Sequence, residues 1–317
     1  MEKYSQFRDK ATGIAPFWPN SQTSSSFLSS TNEPTALTAI IEFILKHVTL
    51  VIKSVVLLPL CLLSLLFTGS LGFTNPITQS LNGLLLVAIG LTSTEYTVEN
   101  IKTRNINKKV HFPVKGDLLF VNFSTPLDLF VLSTLCNDPF VCLIPTSKGH
   151  FKKVSVLEFF HLGLSEGSTT EFGSDFTTAE LKGKIIFIFA EGTTSNGKSI
   201  LPFSLSQAQF TQFYNELTQS NIKISKINTV GMKLTPSYFT TPLHVSSFQY
   251  VYRLLTCLTT MNFKIRLNTV NELKPLELDL PKIRKSFTNS GKFKLVSLGI
   301  SEKKEFVKKL ASNGKKL

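Results

Sequence analysis

Cysteine is scarce in this sequence: Cys61, Cys136, Cys142 and Cys257 are the only four among 317 residues. None forms a Cys-x-x-Cys pair or lies at zinc-ligand spacing from a histidine, which excludes a zinc ribbon and speaks against a disulfide framework. They read as small buried hydrophobes in a reducing compartment. No metal or redox cofactor is implied. Acidic residues are also few, 21 against 34 Lys and Arg, leaving a net charge of +13. That imbalance calls for an acidic partner, whether nucleic acid, an anionic membrane surface or a phosphorylated substrate. No nucleic-acid-binding module can be found along the chain, so nucleic acid is not expected as a partner.

Charge of either sign is missing from residues 54–94, a stretch that a soluble domain rarely tolerates at its surface. Its first part, 48–67, meets charge only at Lys53 and is crowded with Leu57, Leu58, Leu60, Leu62, Leu63, Leu65 and Leu66. A second, shorter apolar part covers 81–91, and Gly69, Gly72, Asn75 and Pro76 supply turn chemistry between the two. We read residues 35–95 as a helical membrane hairpin that enters and leaves one leaflet; a pair of buried core helices is the soluble alternative. Residues 1–34 form a polar N-terminal segment. The apolar run starts too far from Met1, behind a Ser/Thr-rich stretch, to be a secretory signal.

After Glu95 the sequence alternates short apolar runs with polar turns, the pattern of an α/β domain with a sheet flanked by helices. Residues 118–121, 140–144 and 184–189 read as buried strands, and 154–164 and 206–217 have helical spacing. The core is expected over residues 96–263. Residues 264–317 form a basic C-terminal region that packs on or extends it, with Lys303-Lys304, Lys308-Lys309 and Lys315-Lys316 either on solvated faces or near anionic headgroups.

Two runs carry the chemistry. Phe189-Ala190-Glu191-Gly192-Thr193-Thr194-Ser195-Asn196-Gly197-Lys198 leaves a strand and enters a Gly-rich loop whose N–H groups, hydroxyls and lysine can face a phosphate. By composition alone it is also an ordinary strand-to-helix turn. Upstream, Asn122-Phe123-Ser124-Thr125-Pro126-Leu127-Asp128 follows the strand at 118–121.

The first run closely resembles the Glu-Gly-Thr block of the 1-acyl-sn-glycerol-3-phosphate acyltransferase family, and the second resembles its His-x-x-x-x-Asp block. The stretches Met1-Glu2-Lys3-Tyr4, Gly13-Ile14-Ala15-Pro16-Phe17 and Phe293-Lys294-Leu295-Val296-Ser297 look most like fungal lysophosphatidic acid:oleoyl-CoA acyltransferases. The resemblance implies a glycerol-3-phosphate acyltransferase-like fold and acyl-CoA-dependent acylation of lysophosphatidic acid to phosphatidic acid with a preference for oleoyl-CoA, feeding phospholipid and triacylglycerol synthesis. It implies an endoplasmic reticulum membrane and lipid-droplet protein, on bilayer or droplet monolayer, with its catalytic domain facing the cytosol. Catalytic roles fall to Asp128 and Ser124, and substrate contact to Asn122, Thr125, Glu191, Gly192, Thr193, Thr194 and Lys198. Many members carry Arg where this chain has Thr194, leaving Lys198 to supply the positive charge. Phe123 stands where the family carries its general base, typically worth roughly 10²- to 10⁴-fold in rate. Three readings follow: another base such as His150 or His161, Asp128 acting through water, or a non-catalytic lipid-binding or trafficking relative.

Arg8, Lys10 and Lys46 precede the hairpin while Lys102, Arg104, Lys108 and Lys109 follow it, so both ends should stay cytosolic. Glycosylation acceptors inserted before residue 35 and after residue 95 should both remain unmodified; modification of one alone would establish a single span.

Overall fold

The computed structural model describes residues 2–20, 36–71, 76–146, 150–165, 172–269, 279–290 and 293–312. Helix α1 (Ala36–Leu71) is followed by α2 (Pro76–Ile89). The first helix starts well before residue 48 because Glu42 and Lys46 pair across one turn at 2.8 Å, which lets charged residues join an otherwise apolar helix. Its part Ala36–Phe67 is long and apolar enough to cross a membrane. Cys61 lies exposed on it, not buried as its composition implied. Gly69 continues the helix instead of turning; Gly72 and Asn75 lie outside the described residues. α1 and α2 pack together, with the Ser64 hydroxyl donating to Asn82 Oδ1 at 2.8 Å.

The remaining elements are β1 (Leu91–Val98), α3 (Lys108–His111), β2 (Asp117–Val121), α4 (Asp128–Ser133), β3 (Phe140–Pro145), β4 (Phe151–Val154), α5 (Val156–Leu164), β5 (Ile185–Ile188) and β6 (Ser199–Ile200). After them come α6 (Gln207–Gln219), β7 (Lys226–Thr235), α7 (Ser247–Leu255), β8 (Met261–Thr269), α8 (Leu280–Ser286), β9 (Lys294–Leu295) and α9 (Ile300–Ser312). Seven strands form one mixed sheet in the order β1-β8-β7-β2-β5-β3-β4, and β6 pairs separately with β9. The central strands β7, β2, β5 and β3 run parallel, and antiparallel pairings join β8 to β7 and β4 to β3. This is the α/β architecture that the alternation of runs and turns implied.

Alternation along the strands sorts side chains to two faces. Leu119, Val121, Ile185, Phe187 and Val230 join one buried cluster, with residues of α4, α5 and α7 over them. Leu118, Phe120, Ile186 and Ile188 join another, beneath α6 and α8. Both faces are covered, which is why these strands read as unbroken apolar runs.

Several expected boundaries move. β1 begins inside the segment assigned to the anchor and pairs in parallel with β8, and the division at residue 263 falls within β8. The helix expected over 154–164 starts at Val156, because Val154 closes β4 and Ser155 is an N-cap that accepts from Glu158 N in a capping box. Residues 2–20 are not a separate polar segment. Phe7 and Phe17 are buried with Leu201, Val296, Phe306 and Leu310, and the Phe306 ring on α9 meets Tyr4, Phe7, Phe17 and Trp18 at centroid distances of 5.9, 5.0, 6.3 and 6.0 Å.

Phe306 therefore joins the first and last parts of the chain. Phe306→Ala should cost about 3–5 kcal/mol in denaturant unfolding and open residues 2–20 to limited proteolysis. A loss under about 1 kcal/mol would show the cluster to be dispensable.

Candidate functional site

Strands β2 and β5 lie side by side and point the same way, with Leu118 opposite Ile186 and Phe120 opposite Ile188. The loops after both strands therefore emerge at one edge of the sheet, where parallel α/β sheets place their ligand sites. Topology alone brings residues 122–128 and 189–198 together. The Ser195 N–H donates to Phe123 O at 3.0 Å. A third segment follows β7: the Thr241 N–H donates to Ser124 O, also at 3.0 Å.

Asp128 opens α4 and is buried. Its Oδ2 accepts from Ser124 N at 2.7 Å, Thr125 N at 3.0 Å and the Ser124 hydroxyl at 3.3 Å. Its Oδ1 has no hydrogen-bond partner among the described residues. Burial pushes this carboxyl up to about 7, against the Ser124 and Thr125 donors that favour the charged form. One oxygen is thus fixed and the other is left to take a proton or a hydroxyl.

Glu191 is also buried. Its Oε1 accepts from Phe123 N at 3.2 Å and its Oε2 from Leu201 N at 3.0 Å, so one side chain staples both loops. Burial raises its pKa to about 8, opposed by those two donors and by the charge of Arg284. Gly192 has φ +65°, and a Cβ there would lie 2.6 Å from Ser204 Oγ. That bend favours glycine, because any other residue would be strained at this φ and would have to displace the Ser204 hydroxyl.

The other expected residues separate by role. Both polar atoms of the Asn122 amide are bonded to the Met232 backbone, at 3.0 and 2.6 Å; this side chain ties β2 to β7 instead of facing a ligand. The hydroxyls of Thr125 and Tyr250 are hydrogen-bonded at 2.8 Å. Thr193 Oγ1, Thr194 O and Thr194 Oγ1 accept from Lys303 Nζ at 2.8, 2.9 and 3.0 Å. Lys198 stands exposed, the one exposed residue of the run 189–198. The cation bonded to the two threonines is Lys303 of α9, which is fully buried and is not on a solvated face. His150 and His161 are both exposed, and neither supplies a partner to Asp128 Oδ1.

Phe123 is buried in an aromatic trio, 4.6 Å from the Phe159 ring and 5.5 Å from the Phe189 ring, with Phe159 and Phe189 at 4.5 Å. The ring fills the core and has no proton to exchange. Sequence reading missed Lys303, Tyr250 and Arg284, whose guanidinium donates to Leu201 O at 2.9 Å and Ile200 O at 3.0 Å. Among the described residues no group of His, Cys, Asp and Glu is placed to hold a metal ion. An open cleft of about 590 Å³, lined by Arg8, Asp9, Lys10, Arg284 and Ser297 among others, lies against the N-terminal segment and not at these loops.

No family model matches the chain. It is 33% identical over 326 aligned residues to lysophosphatidic acid:oleoyl-CoA acyltransferase 1 of Saccharomyces cerevisiae, spanning 100% of this chain and 99% of that protein. To the putative lysophosphatidic acid:oleoyl-CoA acyltransferase of Schizosaccharomyces pombe it is 27% identical over 336 residues, 97% of each chain. A crystal structure of the 1-acyl-sn-glycerophosphate (LPA) acyltransferase PlsC from Thermotoga maritima is 14% identical, with 85% of this chain and 97% of that one covered and a TM-score of 0.31.

The raised Asp128 pKa has a thermodynamic sign. Between about pH 4, where an unfolded Asp gives up its proton, and about pH 7, the folded value, the folded state holds the extra proton, so its stability falls as pH rises. Asp128→Asn keeps an acceptor and removes the titration. Its melting temperature relative to wild type should climb from pH 5 to 7 and level off above; a flat difference would refute the shift.

Proposed function

Since the chain belongs to the lysophosphatidic acid acyltransferase family, we propose that it moves the acyl group of acyl-CoA, preferring oleoyl-CoA, onto the free hydroxyl of lysophosphatidic acid. The products are phosphatidic acid and coenzyme A. The observation that carries this reading is the 33% identity along the whole length of both chains. It is supported by the meeting of the two loops at one sheet edge.

The acceptor oxygen attacks the thioester carbonyl, the C–S bond breaks, and the acceptor's proton leaves with the departing thiolate as the thiol. Asp128 Oδ1 receives that proton on the way, directly or through one water, because Phe123 occupies the position of the family's histidine and has no lone pair. A carboxyl with a pKa about 7 is matched to accept and release a proton near neutrality. The loop that carries Thr193 and Thr194 takes the substrate phosphate, with Lys303, bonded to both threonines, providing positive charge from behind it and the exposed Lys198 from the solvent side. Glu191 holds the two loops in register. The thioester is already activated, so positioning supplies much of the rate. No cofactor enters this scheme.

Helix α1 anchors the protein, with the acyltransferase domain on the cytosolic side of endoplasmic reticulum membrane or lipid-droplet monolayer, where both lipid substrates dissolve. A non-catalytic lipid-binding role is the second reading, favoured by the burial of Phe123 in an aromatic trio at the position where the family resemblance expects a base.

The test is thiol release from oleoyl-CoA by the purified full chain with lysophosphatidic acid. Asp128→Ala and Glu191→Ala should each lower turnover by about 10² or more, and Lys303→Met should act chiefly on the KM for lysophosphatidic acid. Phe123→Ala should cost about 3–5 kcal/mol of stability through lost packing. Lipid binding without transfer from any acyl-CoA would replace this reading with the second.

A further inference from the structure

The inner face of α7 belongs to the core and its outer face does not. Along a helix, Phe248, Val251, Tyr252 and Leu255 project to one side while Tyr250 and Leu254 project to another. Tyr250 and Leu254 are buried. Phe248 is 80% exposed, Val251 41% and Tyr252 39%, and the Phe248 and Tyr252 rings stack at 6.3 Å. The helix is thus apolar on two sides. Such an outward patch marks an interaction surface when it continues into others.

Its surroundings say what covers it. α7 packs against α1, and the Lys53 ammonium of α1 donates to Leu254 O at 3.1 Å and Cys257 O at 3.0 Å, where α7 ends, and to Ile89 O at 3.2 Å, where α2 ends. A cation shared by carbonyls at two helix C-termini is a favourable arrangement. It fixes α7 beside the middle of the long apolar helix. Flanking Lys53 on α1, Val51, Ile52, Val55 and Val56 are exposed, as are Leu84 and Val87 on α2. The outer face of α7 therefore extends an apolar surface that lipid already has to cover. A tyrosine and the exposed Arg253 at its margin suit the headgroup level.

We propose that Phe248, Val251 and Tyr252 enter the same lipid surface as α1, making α7 an interfacial helix that seats the Thr125–Asp128 block at the membrane through Tyr250. The occupant is a lipid monolayer or bilayer leaflet, chosen over a protein partner by continuity with α1. This rests on the lipid-anchored reading of α1; only the activity arm below depends on the proposed reaction. A lysophospholipid then reaches the two loops without leaving the surface in which its chain is dissolved.

The full chain carrying Trp18→Phe and Phe248→Trp, reconstituted in phosphatidylcholine and phosphatidylserine vesicles, should lose tryptophan emission when the acyl chains are brominated. A Gln212→Trp control on α6, exposed on the far side of the sheet, should not. Equal emission at 248 in both vesicles would overturn the proposal and give this face to a protein partner. In the second arm, Phe248→Asp with Tyr252→Asp should stay in the membrane fraction through α1. It should transfer acyl groups to vesicle-borne lysophosphatidic acid about tenfold more slowly, and to a soluble short-chain analogue at the wild-type rate. Equal slowing on both substrates would overturn the seating role. Absence of transfer by the wild type would refute the proposed reaction, while the quenching arm would still decide the docking.

Discussion

Two carboxylates are withdrawn from water at the centre of this domain, and the loops around them are shaped by that fact. A buried carboxylate is tolerated when N–H groups replace its water. Asp128 recovers part of its hydration from the Ser124 and Thr125 backbone, and Glu191 recovers its own from Phe123 and Leu201. Those donors lie on different strand exits, so satisfying Glu191 locks the exit of β2 to the loop that follows β5. Buried Lys303 completes the arrangement by bonding to Thr193 and Thr194. Asp128 Oδ1 lacks a partner among the described residues, as does Ser199 Oγ just past the loop, and a buried polar atom left unpaired calls for a reason such as strain, a water or a reacting group.

The ends of the chain serve this network. Residues 2–20 reach it through Asn196, whose N–H donates to Pro16 O at 2.9 Å and whose amide donates to Ala15 O at 2.9 Å. Asn20 returns the contact, donating to Asn196 O at 2.9 Å and Ser237 O at 3.1 Å. The same N-terminal residues bury Phe306 on α9, the helix that carries Lys303. First segment, last helix and central loop are thus one packed unit, though they are far apart in the chain. On the opposite side, Lys53 joins the apolar helix to α2 and α7. A short run of contacts joins the long apolar helix to the buried carboxylates: Lys53 to the end of α7, Tyr250 on its inner face, and Thr125 beside Asp128.

Much of this was visible in the residues. Strands β2, β3 and β5 announced themselves as apolar runs bounded by turn residues, because a strand buried on both faces has no polar side to show. β7 and β8 did not, since Lys226, Asn228 and Lys233 in one and Lys264, Arg266 and Asn268 in the other break the apolar pattern near the sheet's β1 edge. β4 went unread because it is only four residues long, Lys152 and Lys153 interrupt its apolar pattern, and its last residue, Val154, fell within the expected helix at 154–164. Residues 2–20 looked polar because their aromatic anchors, Tyr4, Phe7, Phe17 and Trp18, are spaced irregularly; they meet only when Phe306 gathers them.

The sequence by itself determined the long apolar helix, the α/β alternation and the two loop motifs, including Asp128, Glu191 and the phenylalanine at position 123. Each of these is written in consecutive residues, through local periodicity or a short run of defined chemistry. Tertiary structure decided which charges count. Lys303 is one lysine in a lysine-rich tail until α9 packs against the core and points its ammonium at two threonines 109 and 110 residues away in sequence. Asn122 looks available for a ligand until β7 arrives to occupy both of its polar atoms. Composition records a charge or an amide; only packing across the sheet settles whether water, a backbone group or a substrate receives it.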